Sequence, residues 1–184
     1  MTAAPQPPTP LGGTDRYRVW APSARAVKIR VDGTVHTMAP AEEGWFELSD
    51  PAPVAGARYA FRLDDGELWL PDPRSLSQPD GVHAASEVVD AQALAPSPGW
   101  EGRDLRGAVL YELHVGTFAP GPDGNGGTLD TAIERLDALV ELGVDAVELM
   151  PLATFPGERG WGYDGVGLYA VHSAYGGPEA LARF

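Results

Sequence analysis

From Tyr17 to about Leu70, apolar and polar residues alternate in short runs broken by turn signals, the pattern of an antiparallel β domain. The clearest run is AVKIRV, in which Val27, Ile29 and Val31 face one way and Lys28 and Arg30 the other. Asp32-Gly33 then reads as a hairpin turn. GWFELS and RYAFRLDDGELWL repeat the scheme, with Asp65-Gly66 as a second turn that tolerates positive φ. The alternation predicts a small β-sandwich.

Between Pro71 and Gly102, prolines and small polar residues forbid a long regular element, so an ordered linker is expected. The period then changes. AVLYELHV is a continuous β-rich run, and after the glycine-rich GPDGNGG the residues Leu129, Ala132, Ile133, Leu136, Leu139 and Val140 form one helical apolar stripe. Thr128 is placed to cap that helix, Asp130 to meet its dipole, and Gly143 to close it in a left-handed conformation. DAVELMPL is the next apolar run. Strand, helix, strand predicts a βαβ unit with parallel strands covered on both faces. A further helix starts at GGPEALARF, with Pro178 in its first turn. Two parallel strands do not finish an architecture, so these residues read as the beginning of a larger α/β domain.

Composition narrows the chemistry. Within 184 residues, 13 basic against 26 acidic side chains give a net charge of -13, which repels nucleic acid and anionic membranes. The absence of cysteine removes disulfides, thiolate nucleophiles and cysteine metal sites. The opening MTAAPQPPTPLGG has no basic or apolar signal region, and no run reaches membrane-span length, so a soluble cytoplasmic protein with a disordered lead-in over residues 1–14 is expected.

GWGYDG, Gly160 to Gly165, fits the spelling of a dinucleotide-binding loop. Such a loop must follow a strand directly and open a helix. Here PLATFPGER intervenes, VGLYAVHSAYGG follows without helical pattern, and Trp161, Tyr163 and Asp164 would obstruct or repel a pyrophosphate. The same residues suit carbohydrate. Trp161, Tyr163, Tyr169 and Tyr175 concentrate rings onto which pyranose C–H faces pack, and Asp164 is an acceptor for sugar hydroxyls. Packing of the loop over the sheet is the alternative for any one ring. Glu112 and Glu148 lie inside strands and are expected to be buried structural carboxylates, whereas His114, near a strand end, is the better pocket candidate, with a satisfied structural histidine as the favoured reading. His83, His114 and His172 lack zinc spacing, and Asp123 and Asn125 lack the other ligands of a calcium loop. No metal and no cofactor is expected.

VLYELHVGTF, the stretch LGVDAVELMPLATFPGERGWGYDGVGLYAVHSAYGGPEAL and the preceding FRLDDGELWLPDPRSLSQPDGVHAASEVVD resemble the α-amylase superfamily of glycoside hydrolases, and within it the trehalose-releasing branch, from about Tyr17 to the last residue. The resemblance implies an immunoglobulin-like β-sandwich with extended linker over residues 15–95. Over residues 96–184 it implies the start of a (β/α)8 barrel: first strand, first helix, second strand and the beginning of the second helix. The implied reaction is hydrolysis of the α-1,4 bond between a malto-oligosaccharide and a terminal trehalose, with malto-oligosyltrehalose as substrate. By the same resemblance Tyr163 stacks on the sugar before the scissile bond, flanked by Trp161 and Asp164. The superfamily takes its catalytic carboxylates from later strands, so none is expected in this chain, which should be inactive alone. A glycogen branching or debranching enzyme is the rival within the superfamily. A non-catalytic glucan-binding module is the rival of another class.

Overall fold

The structure is a computed structural model that describes residues 16–90, 94, 99, 101–121 and 124–184. The expected lead-in over residues 1–14 and the calcium-loop candidate Asp123 lie outside them.

Seven strands make the first unit: β1 (Tyr17–Trp20), β2 (Val27–Val31), β3 (Thr34–Thr37), β4 (Ala39–Pro40), β5 (Trp45–Leu48), β6 (Arg58–Leu63) and β7 (Ser86–Glu87). They form two antiparallel sheets, β1-β5-β4 and β3-β2-β6-β7. Tyr17, Val19 and Phe46 of the first sheet share one buried core with Val27, Ile29 and Phe61 of the second. The period-2 reading of β2 therefore holds, since Val27, Ile29 and Val31 are buried between Lys28 and Arg30, which are not. The turn after β2 is also as read: Asp32 and Gly33 take φ of 45° and 86°, the mirror-image conformation that matches strand twist.

The second turn differs. Asp64, not Asp65 or Gly66, carries the positive φ of 48°, because its carboxylate turns back to accept from the backbone N–H groups of Arg25 and Ala26 at 2.8 and 3.0 Å. Beyond it GELWL does not form a strand. Only Leu70 bridges back, exchanging backbone bonds with Phe61. From Pro71 to β7 the chain is irregular, yet it buries Asp72, Ser75, Ser77 and Gln78, with Ser86 of β7 buried beside them. Tyr59 donates its hydroxyl to Asp72 Oδ2 at 3.0 Å. Ser86 Oγ accepts from both Asp72 N and Gln78 Nε2 at 2.9 Å.

The second unit runs β8 (Leu110–Leu113), α1 (Val115–Phe118), α2 (Leu129–Ile133), α3 (Leu136–Leu142), β9 (Ala146–Leu149), β10 (Ala153–Thr154), β11 (Gly167–Val171) and α4 (Gly177–Arg183). β8 and β9 pair in parallel, Leu110 opposite Ala146 through Leu113 opposite Leu149, as the βαβ reading requires. Thr128 caps α2 by accepting from Thr131 N, Gly143 closes α3 at φ 90°, and Pro178 lies in the first turn of α4.

The helix between the two strands is not continuous. At its centre Arg135 N bonds to the carbonyl three residues back and Arg135 takes φ -109°, ψ -1°, which puts α3 out of phase with α2. The stripe breaks accordingly: Leu129, Ala132 and Leu139 are buried, while Val140 is 69% exposed. A core of Leu113, Val115, Leu129, Phe155, Tyr175 and Ala180 joins the strands to α2 and α4. Cover is one-sided. Glu112 and Glu148, register partners across β8 and β9, are exposed rather than buried. Successive strand residues face opposite ways, and only the Leu113, Val147 and Leu149 face meets the core.

Candidate functional site

The end of β8 and the loop after β9 lie side by side because parallel register brings both carboxyl ends to one edge. Past β9 the chain makes the short β10–β11 antiparallel pair, and GWGYDG is carried on the connection between them. No helix opens after Gly165; β11 follows instead, so the geometry for cradling a pyrophosphate is absent there.

Close packing explains the three glycines. A Cβ on Gly160 would come within 3.0 Å of the Phe155 ring, and one on Gly165 within 2.9 Å of Ala153 Cβ. Gly162 sits at φ +83°, where a Cβ would approach the Pro151 carbonyl oxygen to 2.1 Å. The loop is thus drawn down onto the β9–β10 backbone, and the residues between the glycines project outward. Trp161 and Tyr163 are each 70% exposed, and Asp164 is exposed beside them.

His114, directly after β8, holds this loop from the other side. Its Nε2 lies 2.8 Å from Gly160 O and its Nδ1 2.9 Å from Thr117 Oγ1. A carbonyl only accepts, so Nε2 carries the proton and Nδ1 takes the Thr117 hydroxyl. Both ring nitrogens of this histidine thus have partners within the fold, as a structural histidine would. It lines a cleft of about 920 Å³ with Thr117, Thr128, Glu158, Trp161 and Ser173.

Tyr175 takes the packing alternative left open for any one of these rings. It is not part of the exposed aromatic surface but only 3% exposed, and its hydroxyl donates to the same Gly160 carbonyl at 3.0 Å. Its ring belongs to a cluster with Phe155, His114 and His172. Burial, and behind it the charge of Asp164, push its phenol pKa up. His172 Nδ1 accepts from Ala174 N, and Nε2 donates to Gly157 O at 2.9 Å. Burial lowers its pKa, against the opposing pull of that carbonyl and of Asp164 and Glu158. Spacing alone had no means of finding the Tyr175–Gly160 contact. The only trace in the sequence is the glycine spelling itself, which marks backbone packed too closely for side chains.

Among the described residues no cluster of three metal-ligating side chains occurs, and no helix is long and apolar enough to cross a membrane. The arrangement can offer exposed ring faces with an adjacent carboxylate, beside a cleft lined by His114, Thr117, Thr128, Glu158, Arg159 and Ser173.

The structural neighbours of this chain are α-amylase family enzymes. A Salmonella typhimurium protein assigned as an α-amylase superposes with a TM-score of 0.78 at 44% identity, over 90% of this chain and 27% of that one. The pullulanase SAP of GBS, crystallised with maltotetraose, superposes with a TM-score of 0.70 at 20% identity, over 90% of this chain and 28% of that one, a likeness of fold alone. By sequence the chain is homologous to the malto-oligosyltrehalose trehalohydrolases. It is 52% identical over 172 residues to that of Mycobacterium tuberculosis, covering 91% of this chain, and 44% identical over 191 residues to that of Rhizobium sp., covering 100%. A 1,4-α-glucan branching enzyme of Bacillus caldolyticus is 33% identical over 187 residues, covering 92% of this chain and 28% of the enzyme. The chain spans 29% and 31% of the lengths of the two trehalohydrolases. No protein-family model matches it.

Proposed function

We propose that this chain is the substrate-contacting first part of a glycoside hydrolase that cleaves the α-1,4 bond next to the terminal trehalose of malto-oligosyltrehalose and releases trehalose. In this reading residues 15–95 are an immunoglobulin-like sandwich with its linker. Residues 96–184 begin a (β/α)8 barrel in which β8 and β9 are the first two strands. The observation that carries it is the exposed Tyr163 ring, held at the carboxyl end of β9 by three close-packed glycines. Barrel active sites lie at that end of the strands. Tyr163 supplies a face for the pyranose C–H groups. Trp161 extends the face, and Asp164 accepts from sugar hydroxyls.

Retaining glycoside hydrolysis needs a nucleophilic carboxylate and an acid about 5 Å apart, one attacking the anomeric carbon and one protonating the leaving oxygen. Glu112 and Glu148 lie within their strands, on the face opposite the Leu113, Val147 and Leu149 core, and we assign them neither role. The carboxylates come from other parts of the enzyme, so these 184 residues by themselves are expected to release no trehalose. The substrate is a malto-oligosaccharide capped by trehalose, which needs no metal or cofactor from these residues.

The likeness to a branching enzyme favours a second reading, action on long branched glucans. Incubating the complete enzyme with malto-oligosyltrehalose and, separately, with glycogen decides between them. Trehalose release without change in branching supports the first reading; altered branching without trehalose release replaces it by the second.

A further inference from the structure

We infer that Tyr175 is a positioning residue for the aromatic loop: its hydroxyl, together with His114 Nε2, fixes the Gly160 carbonyl and so sets where Trp161 and Tyr163 stand. The inference rests on the proposed reading of Tyr163 as a sugar platform.

Two segments distant in the chain converge on this one loop oxygen: the end of β8 through His114 at 2.8 Å and the turn after β11 through Tyr175 at 3.0 Å. The two donors also lie 3.1 Å from each other. A phenylalanine would fill the site beside Phe155 and His172 equally well, so packing does not account for the hydroxyl. What the hydroxyl adds is a second donor on the carbonyl immediately before Trp161. The loop needs such an anchor. With glycines at 160, 162 and 165 its backbone has more conformational freedom to lose than any other residues would give it. Its far end is already fixed, since Val166 N donates to Thr154 O at 2.8 Å. The near end is fixed at Gly160 O. A platform that moves by an ångström relative to the scissile bond loses much of its value, because catalysis depends on orientation.

The structure of the anchor also explains the environment of Tyr175. Its turn, Ser173–Tyr175, is capped by His172, whose other nitrogen donates to Gly157 O, so the turn is itself tied to the residues leading into the loop. Thr117 completes the set by orienting the His114 ring.

The test is Tyr175→Phe, which keeps the ring and removes only the donor. In the complete enzyme it is expected to leave the melting temperature nearly unchanged and to lower kcat/KM on malto-oligosyltrehalose about 3- to 10-fold, the scale of one hydrogen bond. In a Tyr163→Ala background the same substitution should have no further effect, because there is no longer a ring to position. Thr117→Val should act in the same direction, more weakly. In the 184-residue chain, Tyr175→Phe should speed amide exchange across residues 160–165 while leaving Leu110–Leu113 unchanged. If Tyr163→Ala lowers kcat/KM but Tyr175→Phe is neutral, or costs the same factor in both backgrounds, the positioning role is wrong and the platform stands. If Tyr163→Ala leaves kcat/KM unchanged, the platform reading fails and this inference with it. Unchanged exchange at residues 160–165 overturns the anchor directly.

Discussion

Gly162 lies against Pro151 so closely that a Cβ on it would meet the proline carbonyl oxygen at 2.1 Å, at a φ of +83° that L side chains rarely adopt. The obstacle is backbone, which cannot step aside as a flexible side chain could. Gly162→Ala is therefore expected to cost at least about 2 kcal/mol from strain and displacement together. A denaturant midpoint close to that of the native chain would show that the loop reaches its position without this contact.

Where β7 meets the irregular residues before it, one serine holds two buried donors. Ser86 is fully buried, and its one oxygen accepts from both Asp72 N and Gln78 Nε2. Ser86→Ala removes the acceptor and leaves two donors without a partner away from water, a loss of about 1–3 kcal/mol. Equilibrium unfolding of the chain measures it. A change inside a few tenths of a kcal/mol would mean that water replaces the serine.

These two sites show what a sequence can and cannot disclose. Val27, Ile29 and Val31 announced their strand because side-chain direction alternates with every residue, and Thr128 and Gly143 announced helix ends because capping is local chemistry. The break at Arg135 was invisible, since neither glycine nor proline marks it and the apolar spacing runs straight across. The buried Asp72–Ser86–Gln78 set was hidden for a different reason: PDPRSLSQPDG has the composition of a surface loop, and only the partners supplied by Tyr59 and the neighbouring backbone make its burial tolerable. At the loop, the exposed Tyr163 and the glycine spelling were readable. The inward-facing Tyr175 was not, because it depends on a contact between residues 15 apart in the chain.

The pH dependence of stability should carry a signature of His172. Burial lowers its pKa below the ordinary value of 6.5, so the folded chain holds it neutral while the unfolded chain protonates it. Its contribution is therefore flat above about pH 6.5. It turns unfavourable as pH falls through that value, and it levels off below the folded pKa. His172→Asn retains a side-chain acceptor for Ala174 N but does not titrate. Unfolding curves between about pH 7.5 and pH 5 should show a smaller acid loss in the variant than in the native chain. Parallel losses in both would assign the acid sensitivity to carboxylates elsewhere.

Tyr163 is 70% exposed, so Tyr163→Ala removes little packing and should shift stability by no more than about 0.5 kcal/mol. In the complete enzyme the loss should instead appear on substrate, worth about 1–3 kcal/mol in transition-state binding if the ring stacks on the sugar next to the bond that breaks. Two refinements separate stacking from other roles. Tyr163→Phe keeps the face and loses only the hydroxyl, so its effect should be mild. Positive charge develops on the sugar as the bond opens, and a ring face steadies that charge more than it steadies the bound ground state; hence Tyr163→Ala should lower kcat as well as raise KM. An increase in KM alone would make the ring a uniform binding surface. Normal kinetics in Tyr163→Ala would mean that the exposed tyrosine meets no sugar at all, and that the glycines serve only to pack the loop against Phe155, Pro151 and Ala153.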